Sequence, residues 1–216
     1  MARRHESDAS TRLAALAQEA ASCRRCPLYK DATQTVFGEG NASAALVLVG
    51  EQPGNQEDLQ GHPFVGPAGG ILDRALAEAG LDRGAVYLTN AVKHFKHEAR
   101  GKRRLHKRPN RYEIEQCRWW LDRELAVVKP TLVVALGATA AHALSGRALT
   151  LSRERGHVVN FQNGLQGIVT LHPSAILRMP DEKSRHAAFA SLVDDLQMAM
   201  ELATGRARPA ASASHV

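Results

Sequence analysis

The sequence lacks the features of a membrane protein or of a disulfide-stabilised secreted protein. Only 5% of its 216 residues are aromatic, and its three cysteines are an odd number. No apolar run approaches the roughly 20 residues that a membrane span needs. The first ten residues, MARRHESDAS, contain no apolar segment of the signal-peptide type. We therefore expect a cytoplasmic globular protein with no membrane partner and no disulfide framework.

Acidic residues are almost missing from one stretch, Lys93 to Arg111, which reads KHFKHEARGKRRLHKRPNR. It contains nine Lys or Arg and one acid, Glu98, although the net charge of the whole chain is only +6. Most such runs are solvated surface. This one follows a strand-like segment and includes three histidines, so it also indicates a polyanion held beside a reaction. The sequence pI of about 9.5 favours a nucleic-acid partner.

Hydrophobic patterning predicts strands that alternate with helices. Short, apolar, β-rich runs occupy residues 45–50, 85–91, 131–136 and 167–171. A further segment, 158–161, is typical of a hairpin arm or an edge strand. Helical patterns occupy residues 9–22, 68–79, 111–128, 137–144 and 182–203. This alternation predicts an α/β fold, a three-layer α/β/α arrangement with a central, mostly parallel four-stranded sheet.

We expect one domain over residues 9–203, between a disordered N-terminus, 1–8, and a disordered tail, 204–216. In open parallel sheets, ligands bind beyond the carboxyl ends of the strands. Three loops, 51–66, 90–108 and 172–174, should meet at that edge. Together they supply a carboxylate, amides, an aromatic ring, histidines and cations, which is the inventory for cleaving a bond in a nucleotide.

Three motifs resemble those of the family 4 uracil-DNA glycosylases. They are GEQPGNQEDLQGHPFVGPAG from residue 50, LTNAVK from residue 88 and LHPS from residue 171, and they occur in the family's order. Within that superfamily, the segment KRRLH (102–106) together with GEQPG resembles the UdgX branch. Members of that branch become covalently attached to uracil-containing DNA through the histidine of this loop. The resemblance implies a uracil-DNA glycosylase-like fold and DNA as the partner.

The resemblance also implies how a flipped-out uracil would be recognised. Phe64 would stack on the base, and Asn90 would donate to and accept from its edge. His172 would donate a hydrogen bond to the oxyanion that develops on the leaving uracil. Without the motifs, the same residues would indicate a core aromatic ring, a turn cap and the start of a helix.

The first motif implies further contacts with the substrate. Glu51 and Gln52 would lie beside the sugar, where Glu51 could orient or deprotonate the attacking group and stabilise positive charge. Gly50, Gly54 and Asn55 would line the substrate site. Asn55 departs from the branch, in which an acid is expected at this position, and its presence should weaken the activation of water.

The resemblance to the UdgX branch also implies that His106 attacks the anomeric carbon of the sugar in place of water. The products would be a protein–DNA adduct and free uracil. Phosphate contacts are expected from the basic loop and the third motif, namely from Lys102, Arg103, Arg104, Lys107 and Ser174. The alternative is a turnover glycosylase in which His106 only contacts DNA, and a second alternative is a metal-containing nucleic-acid-binding module that cleaves no bond.

Cys23 and Cys26 form a C-x-x-C pair, and Cys117 lies far downstream. This spacing favours a metal or cluster site over isolated buried thiols. Family 4 enzymes carry a [4Fe-4S] cluster on four cysteines, and His94 stands where the remaining cysteine would be. Imidazole can bind iron in clusters, and a Cys3His set also suits zinc. The resemblance favours the cluster, in a structural role.

The sequence leaves open whether the DNA is single-stranded or double-stranded. We expect a monomer, because flipping one base requires no symmetry, and an association with the nucleoid when the protein is bound to DNA.

Overall fold

The structure is a computed structural model, and it describes residues 2–205, with side chains from residue 7 onward. Its helices are α1 (Ala2–Ala21), α2 (Asn55–Gln60), α3 (Pro67–Glu78), α4 (Arg111–Val128), α5 (Ala138–Ser145), α6 (Leu151–Glu154), α7 (Pro173–Leu177) and α8 (Glu182–Ala203). Its strands are β1 (Glu39–Gly40), β2 (Leu46–Gly50), β3 (Tyr87–Asn90), β4 (His97–Arg100), β5 (Arg103–His106), β6 (Leu132–Leu136), β7 (Val158–Asn160) and β8 (Gln166–Thr170).

The central sheet has the strand order β1-β3-β2-β6-β8-β7. Its four inner strands are parallel, which confirms the predicted mostly parallel sheet. The predicted number of four strands is wrong, because the sheet has six. The additional strands, β1 and β7, pair antiparallel at the two edges. Strand β1 contains only two residues, too few for its periodicity to stand out in the sequence. Strand β7 falls within the segment 158–161, for which the sequence predicts a hairpin arm or an edge strand.

Helices cover both faces of the sheet, because its inner strands are apolar on both sides. The inner strands β2 and β6 are buried along their whole length. Residues of α1, α4 and α5 form the core against one face, and residues of α3, α7 and α8 form the core against the other. Two α/β interfaces of this kind make the three layers that the sequence predicts.

The ends of the chain differ in part from the prediction. Helix α1 already begins at Ala2, whereas the sequence predicts a disordered segment over residues 1–8. Alanine, arginine and glutamate, which this segment contains, are good helix formers. Residues 206–216 of the predicted tail lie outside the described residues. In the part of the chain that the structure describes, no helix has the length and hydropathy of a membrane span.

The sequence predicts a loop for the basic stretch, but part of it forms a two-stranded hairpin. Strands β4 and β5 pair antiparallel, with His97 opposite His106 and Arg100 opposite Arg103. Gly101 takes a positive φ of 58° at the first position of the two-residue turn, which is the place of glycine in a type II′ hairpin. We call residues 96–107 the hairpin arm.

The first cation of the basic stretch, Lys93, is fully buried and not a surface charge. Its ammonium group forms an ion pair with Glu124 of α4. It also donates to Thr89 Oγ1 and, over 2.8 Å, to the carbonyl oxygen of Asn90. Lys93 therefore anchors the end of β3 inside the protein instead of contributing to a DNA-binding surface.

Candidate active site

The carboxyl ends of β2, β3, β6 and β8 bring the predicted site residues together at one edge of the sheet. Glu51 and Gln52 follow β2, Asn90 ends β3, and His172 lies just after β8. Two adjoining cavities of about 450 and 460 Å³ open there, and His106, Gln52, His172 and Ser174 line both of them. The parallel arrangement of the strands thus assembles residues that are up to 121 positions apart in the chain, from Glu51 to His172.

One of the cavities is lined by an aromatic ring and a side-chain amide. Phe64 and Asn90 line it, and both are buried, with exposed fractions of 5% and 3%. A Cβ atom at Gly50 would lie 2.3 Å from Asn90 Oδ1 and 2.6 Å from the ring of Phe64. Only glycine at position 50 therefore allows the aromatic ring and the amide to approach each other. The ring of Phe64 lies 6.3 Å from that of His172, measured between centroids.

The loop between β2 and α3 is held in place by two of its own acids, Glu57 and Asp58. The carboxylate of Glu57 accepts hydrogen bonds from the backbone N–H groups of Gly54 (3.0 Å) and Gly66 (2.8 Å). Asp58, which is fully buried, accepts one from the N–H of Thr33 at 3.0 Å. These bonds fasten both ends of the loop that carries Phe64.

Glu51 lies between the sheet edge and the hairpin arm. One carboxylate oxygen is 3.3 Å from His106 Nε2, and the other accepts a hydrogen bond from Thr139 Oγ1 at 2.5 Å. Burial alone would raise the pKa of Glu51, but the hydrogen bonds from His106 and Thr139 outweigh it and lower the pKa below its ordinary value. Glu51 is therefore ionised at neutral pH and faces an imidazole whose side chain is 49% exposed.

Gln52 fastens the hairpin arm to the end of β2. Its amide nitrogen donates to the carbonyl oxygens of Lys96 (3.2 Å) and Lys107 (3.1 Å), one on each side of the arm. Its amide oxygen accepts from the N–H of Lys96 at 3.3 Å. Gln52 thus holds the base of the arm, and His106 lies next to that base.

Arg104 points into the protein and makes a second fastening. Its Nε donates to Asn55 Oδ1 at 2.8 Å, and its Nη1 forms an ion pair with Asp58 at 2.6 Å. The guanidinium group also lies over the ring of Phe95 at 5.4 Å. The side-chain oxygen of Asn55 therefore accepts a hydrogen bond from Arg104. The guanidinium that was predicted to contact DNA connects the arm to the first motif instead.

His172 is neutral and has a defined orientation. Its Nδ1 accepts from the backbone N–H of Ser174 at 3.1 Å, which leaves the proton on Nε2 in the neutral ring. Burial lowers the pKa of His172 to about 4, although the charge of Glu51 acts in the opposite direction. The ring can therefore donate a hydrogen bond into the pocket without carrying a charge.

The other predicted phosphate-binding residues remain on the surface. Lys102, Arg103 and Lys107 are exposed, and Lys107 pairs with Glu98 across the arm at 2.7 Å. Ser174 is partly buried, and its hydroxyl lies 2.8 Å from His172 Nδ1. The arm thus presents a basic outer face above the two cavities.

The three cysteines lie near one another between α1 and α4, and Lys93, the residue before His94, contacts Cys117. Cys23 Sγ accepts from the indole N–H of Trp120, and Cys117 Sγ accepts from the backbone N–H of Lys93, both over 3.1 Å. Burial is the main cause that raises the pKa of Cys26 and that of Cys117, the latter to about 12. The proximity of the other thiols adds to both shifts.

His94 has the properties of a ligand that lacks its partner. Its Nδ1 is buried and has no hydrogen-bond partner among the described residues. Burial lowers the pKa of His94, so that the ring is neutral and keeps a lone pair. Within residues 7–205, however, no three His, Cys, Asp or Glu side chains converge closely enough to hold a single metal ion.

Sequence reasoning missed three residues of the site, Thr139, Arg108 and Arg178. Thr139 holds Glu51, whereas Arg108 and Arg178 line the cavity beside it. Arg108 Nε lies 3.9 Å from Glu51, and Arg178 Nη1 donates to Ser174 Oγ at 3.1 Å. The sequence did hold a signal for Thr139. The strand at 132–136 ends at the same sheet edge as the three predicted loops, so the residues that follow this strand should also lie at the site.

Comparison with known proteins identifies the class to which this fold and site belong. The family profile described as "Uracil DNA glycosylase superfamily" matches residues 37–197. The chain therefore belongs to the uracil-DNA glycosylase superfamily.

Within that superfamily, the chain is similar to type-4 uracil-DNA glycosylases. It is 35% identical over 188 residues to the enzyme of Archaeoglobus fulgidus, covering 84% of this chain and 91% of the relative. It is 38% identical over 168 residues to that of Pyrobaculum aerophilum, with coverage of 74% and 81%. The enzyme of Thermotoga maritima is 35% identical over 171 residues, with coverage of 79% and 85%.

Proposed function

We propose that this protein excises uracil from DNA and remains covalently attached to the resulting sugar through His106, as in the UdgX branch. The observation that supports this proposal is the contact between His106 and Glu51. It places the imidazole of His106 3.3 Å from an ionised carboxylate, beside the pocket that Phe64 and Asn90 line. The names of the type-4 relatives support uracil as the base and DNA as the partner.

In this proposal the flipped uracil lies against Phe64, and the amide of Asn90 reads its edge. As the bond between C1′ and the base nitrogen breaks, its electron pair leaves with the uracil. The Nε2–H of His172 donates to the oxyanion that develops on the base. A neutral His172 is suited to this task, because it stabilises the anion by donating its Nε2–H and does not need to take up a further proton.

The sugar is left with oxocarbenium character, and a ring nitrogen of His106 uses its lone pair to form a bond to C1′. The imidazolium that results loses the N–H proton of its other nitrogen, and Glu51 is close enough to accept it. The product is a neutral N-alkylated imidazole. Because no good leaving group remains on C1′, the adduct persists and the protein acts once.

An ordinary turnover glycosylase is the alternative, and counting products separates the two. Purified protein is incubated with a uracil-containing oligonucleotide, and free uracil and a denaturation-resistant protein–DNA band are both quantified. Capture predicts one uracil per protein and one adduct per uracil, with the adduct abolished in His106→Ala. The matched control is His97→Ala, which removes the imidazole directly opposite on the arm and should leave capture intact.

Smaller residues at position 106 test whether water can take the place of the imidazole. His106→Ser and His106→Gly should release more than one uracil per protein and leave an abasic product. If neither variant turns over, the substitution of water for imidazole is wrong. If the wild-type protein turns over without an adduct, His106 only contacts DNA. Unchanged DNA would favour the binding module without bond cleavage.

We further propose that Cys23, Cys26, Cys117 and His94 hold a [4Fe-4S] cluster. The unpartnered Nδ1 of His94 and the N–H groups directed at two of the sulfurs support this assignment. A single zinc ion would draw its ligands to within about 4 Å of one another. In a cluster each ligand binds a different iron, so the four ligands need not converge on a single ion, and within residues 7–205 no three of them do. The cluster would supply structural cross-linking of α1, the arm and α4.

Iron and zinc analysis of purified protein tests the cluster. We expect a brown protein with iron and sulfide, which His94→Ala loses and His94→Cys retains. A colourless protein with stoichiometric zinc would contradict the assignment. We propose in addition that the protein acts as a monomer on nucleoid DNA in the cytoplasm.

A further inference from the structure

An exposed tryptophan on α4 stands apart from the site described above. Trp119 is 47% exposed, whereas its neighbour Trp120 is 3% exposed and packs in the core. A tryptophan ring at the surface offers a face on which a guanidinium group can stack. Trp119 lies on the face of α4 that is turned away from the sheet, next to the C-x-x-C segment.

Arg25, from the C-x-x-C segment, covers the ring of Trp119. Its guanidinium carbon lies 4.9 Å from the ring centre, and its Nε donates to the carbonyl oxygen of Gln116 at 3.2 Å. No carboxylate within residues 7–205 forms an ion pair with Arg25, and the residue is exposed. The ring and the carbonyl oxygen therefore orient the guanidinium, while its two terminal amino groups stay available for an anion.

Neighbouring arginines on α4 differ from Arg25 because they have carboxylate partners. Arg123 also lies over Trp119, at 5.4 Å, but its Nη1 donates to both carboxylate oxygens of Glu19, at 2.7 and 2.8 Å. Arg111 is paired with Glu115 and Arg118 with Asp122, each one helical turn apart. Those charges are compensated within the protein, whereas that of Arg25 is not.

The position of Arg25 relates it to the hairpin arm. Cys26, the next residue, lies close enough to Lys96 and Glu113 for both charges to affect its pKa. Lys96 begins the arm, and its ammonium group is paired with Glu113 of α4 at 2.9 Å. Trp119 follows Glu113 by six residues, which corresponds to roughly 9 Å along a helix axis. A strand that leaves the arm along α4 would therefore reach Arg25.

We propose that Arg25, supported by Trp119, binds a phosphate of the single-stranded DNA that flanks the uracil. This inference rests on the proposed function. A guanidinium with two free amino groups binds a phosphate in a bidentate manner, and stacking on an aromatic ring restricts the side chain beforehand. A flexible single strand can bend from the arm onto α4, whereas duplex DNA resists such a bend, with a persistence length of about 150 base pairs.

The test measures how the binding of a uracil-free oligothymidine to the full-length protein depends on salt. Each phosphate contact to a single strand contributes about 0.7 to the slope of log K against log salt. Arg25→Gln should therefore reduce that slope by about 0.7. Arg185→Gln, which removes an exposed arginine from α8 on the other side of the sheet, is the charge-matched control and should leave the slope unchanged. Equal slopes for the two variants would overturn the proposal.

Tryptophan fluorescence gives a second measurement that does not depend on activity. The chain has two tryptophans, and only the exposed Trp119 should be quenched by bound oligothymidine. Trp119→Phe should abolish the quenching, and quenching that persists in this variant would place the DNA elsewhere. A loss of slope in Arg25→Gln that is equally large with duplex DNA would contradict the single-strand assignment.

Covalent capture separates a failure of this proposal from a failure of the proposed function. With a short uracil oligonucleotide that ends before α4, Arg25→Gln and the wild-type protein should form adduct at the same rate. If no variant forms an adduct, the proposed function fails, but the salt slopes still decide whether Arg25 binds the strand.

Discussion

The base pocket and the hairpin arm are built in opposite ways. Asn90 and Phe64 are buried at the ends of core strands, with exposed fractions of 3% and 5%. His106 lies on a hairpin outside the sheet, and half of its side chain is exposed. The pocket is thus part of the core, whereas the arm is attached to it by polar contacts of Gln52 and Arg104.

Under the proposed function, this difference shows how a capture reaction can be added to an existing site. Recognition of the base depends on the packing of the whole sheet and is difficult to alter without unfolding it. The identity of the attacking group depends on a short segment that few contacts hold in place. The predictions below separate the two regions.

Replacing Glu51 should have the largest effect on capture, because Glu51 is the contact between the two regions. In Glu51→Gln the acceptor for the His106 proton is lost, and adduct formation should slow by about 10² to 10⁴-fold. Single-turnover rates on denaturing gels measure it. Glu98→Gln, which removes an exposed acid on the arm, is the control. A rate equal to that of the control would exclude Glu51 as the base.

Replacing Lys93 should destabilise the core of the protein and leave the hairpin arm unaffected. In Lys93→Met the carboxylate of Glu124 stays buried without its ion pair, which should lower the free energy of unfolding by about 3–5 kcal/mol. Urea denaturation measures the loss. The double variant Lys93→Met with Glu124→Gln should recover most of it, because no buried charge remains and the amide oxygen can still accept from Tyr87 and Gly38. A single variant as stable as wild type would show that the pair does not anchor β3.

Replacing Arg104 should loosen the arm and leave the pocket unchanged. Arg104→Lys keeps a positive charge beside Asp58 but loses the planar group that also reaches Asn55. A displaced His106 should slow capture by about 10- to 100-fold, while the affinity for uracil and the stability stay near the wild-type values. Arg103→Lys, at an exposed position on the arm, is the control. Equal capture rates for the two variants would show that Arg104 does not hold the hairpin arm in place.

The pH dependence of stability should report the burial of His172. The pKa of His172 is lowered from 6.5 to about 4 in the folded protein. Between these values the unfolded chain takes up a proton that the folded protein does not, so stability falls as the pH decreases from about 6.5 to 4. His172→Asn should remove this contribution. An identical pH profile for both proteins would contradict the burial of a neutral ring.

The inner sheet could be predicted from sequence because its strands are continuous apolar runs. The four runs at 45–50, 85–91, 131–136 and 167–171 agree with β2, β3, β6 and β8 to within two residues at either end. Of the edge strands, β7 falls within the segment 158–161, for which the sequence predicts a hairpin arm or an edge strand. Strand β1 could not be predicted, because its two residues carry no periodicity. The arm was missed because its charge obscured the turn signal of Gly101.

The site shows the same division. Motif resemblance placed Glu51, Asn90, His106 and His172 in one site, and the ends of the parallel strands do bring them together. Sequence did not indicate that Gln52 and Arg104 act as fastenings, because their partners are backbone carbonyls and side chains that only the folded chain brings near. The compensation of Lys93 by Glu124 depends on a contact across 31 residues and was hidden for the same reason.

The most direct test is to identify the amino acid that bears the DNA. Adduct formed by the wild-type protein is digested with protease and nuclease, and the modified peptide is sequenced by mass spectrometry. We expect a deoxyribose remnant on the imidazole of His106, with unmodified His97 in the same digest. A remnant on any other residue, or stoichiometric uracil release without a modified peptide, would contradict the account.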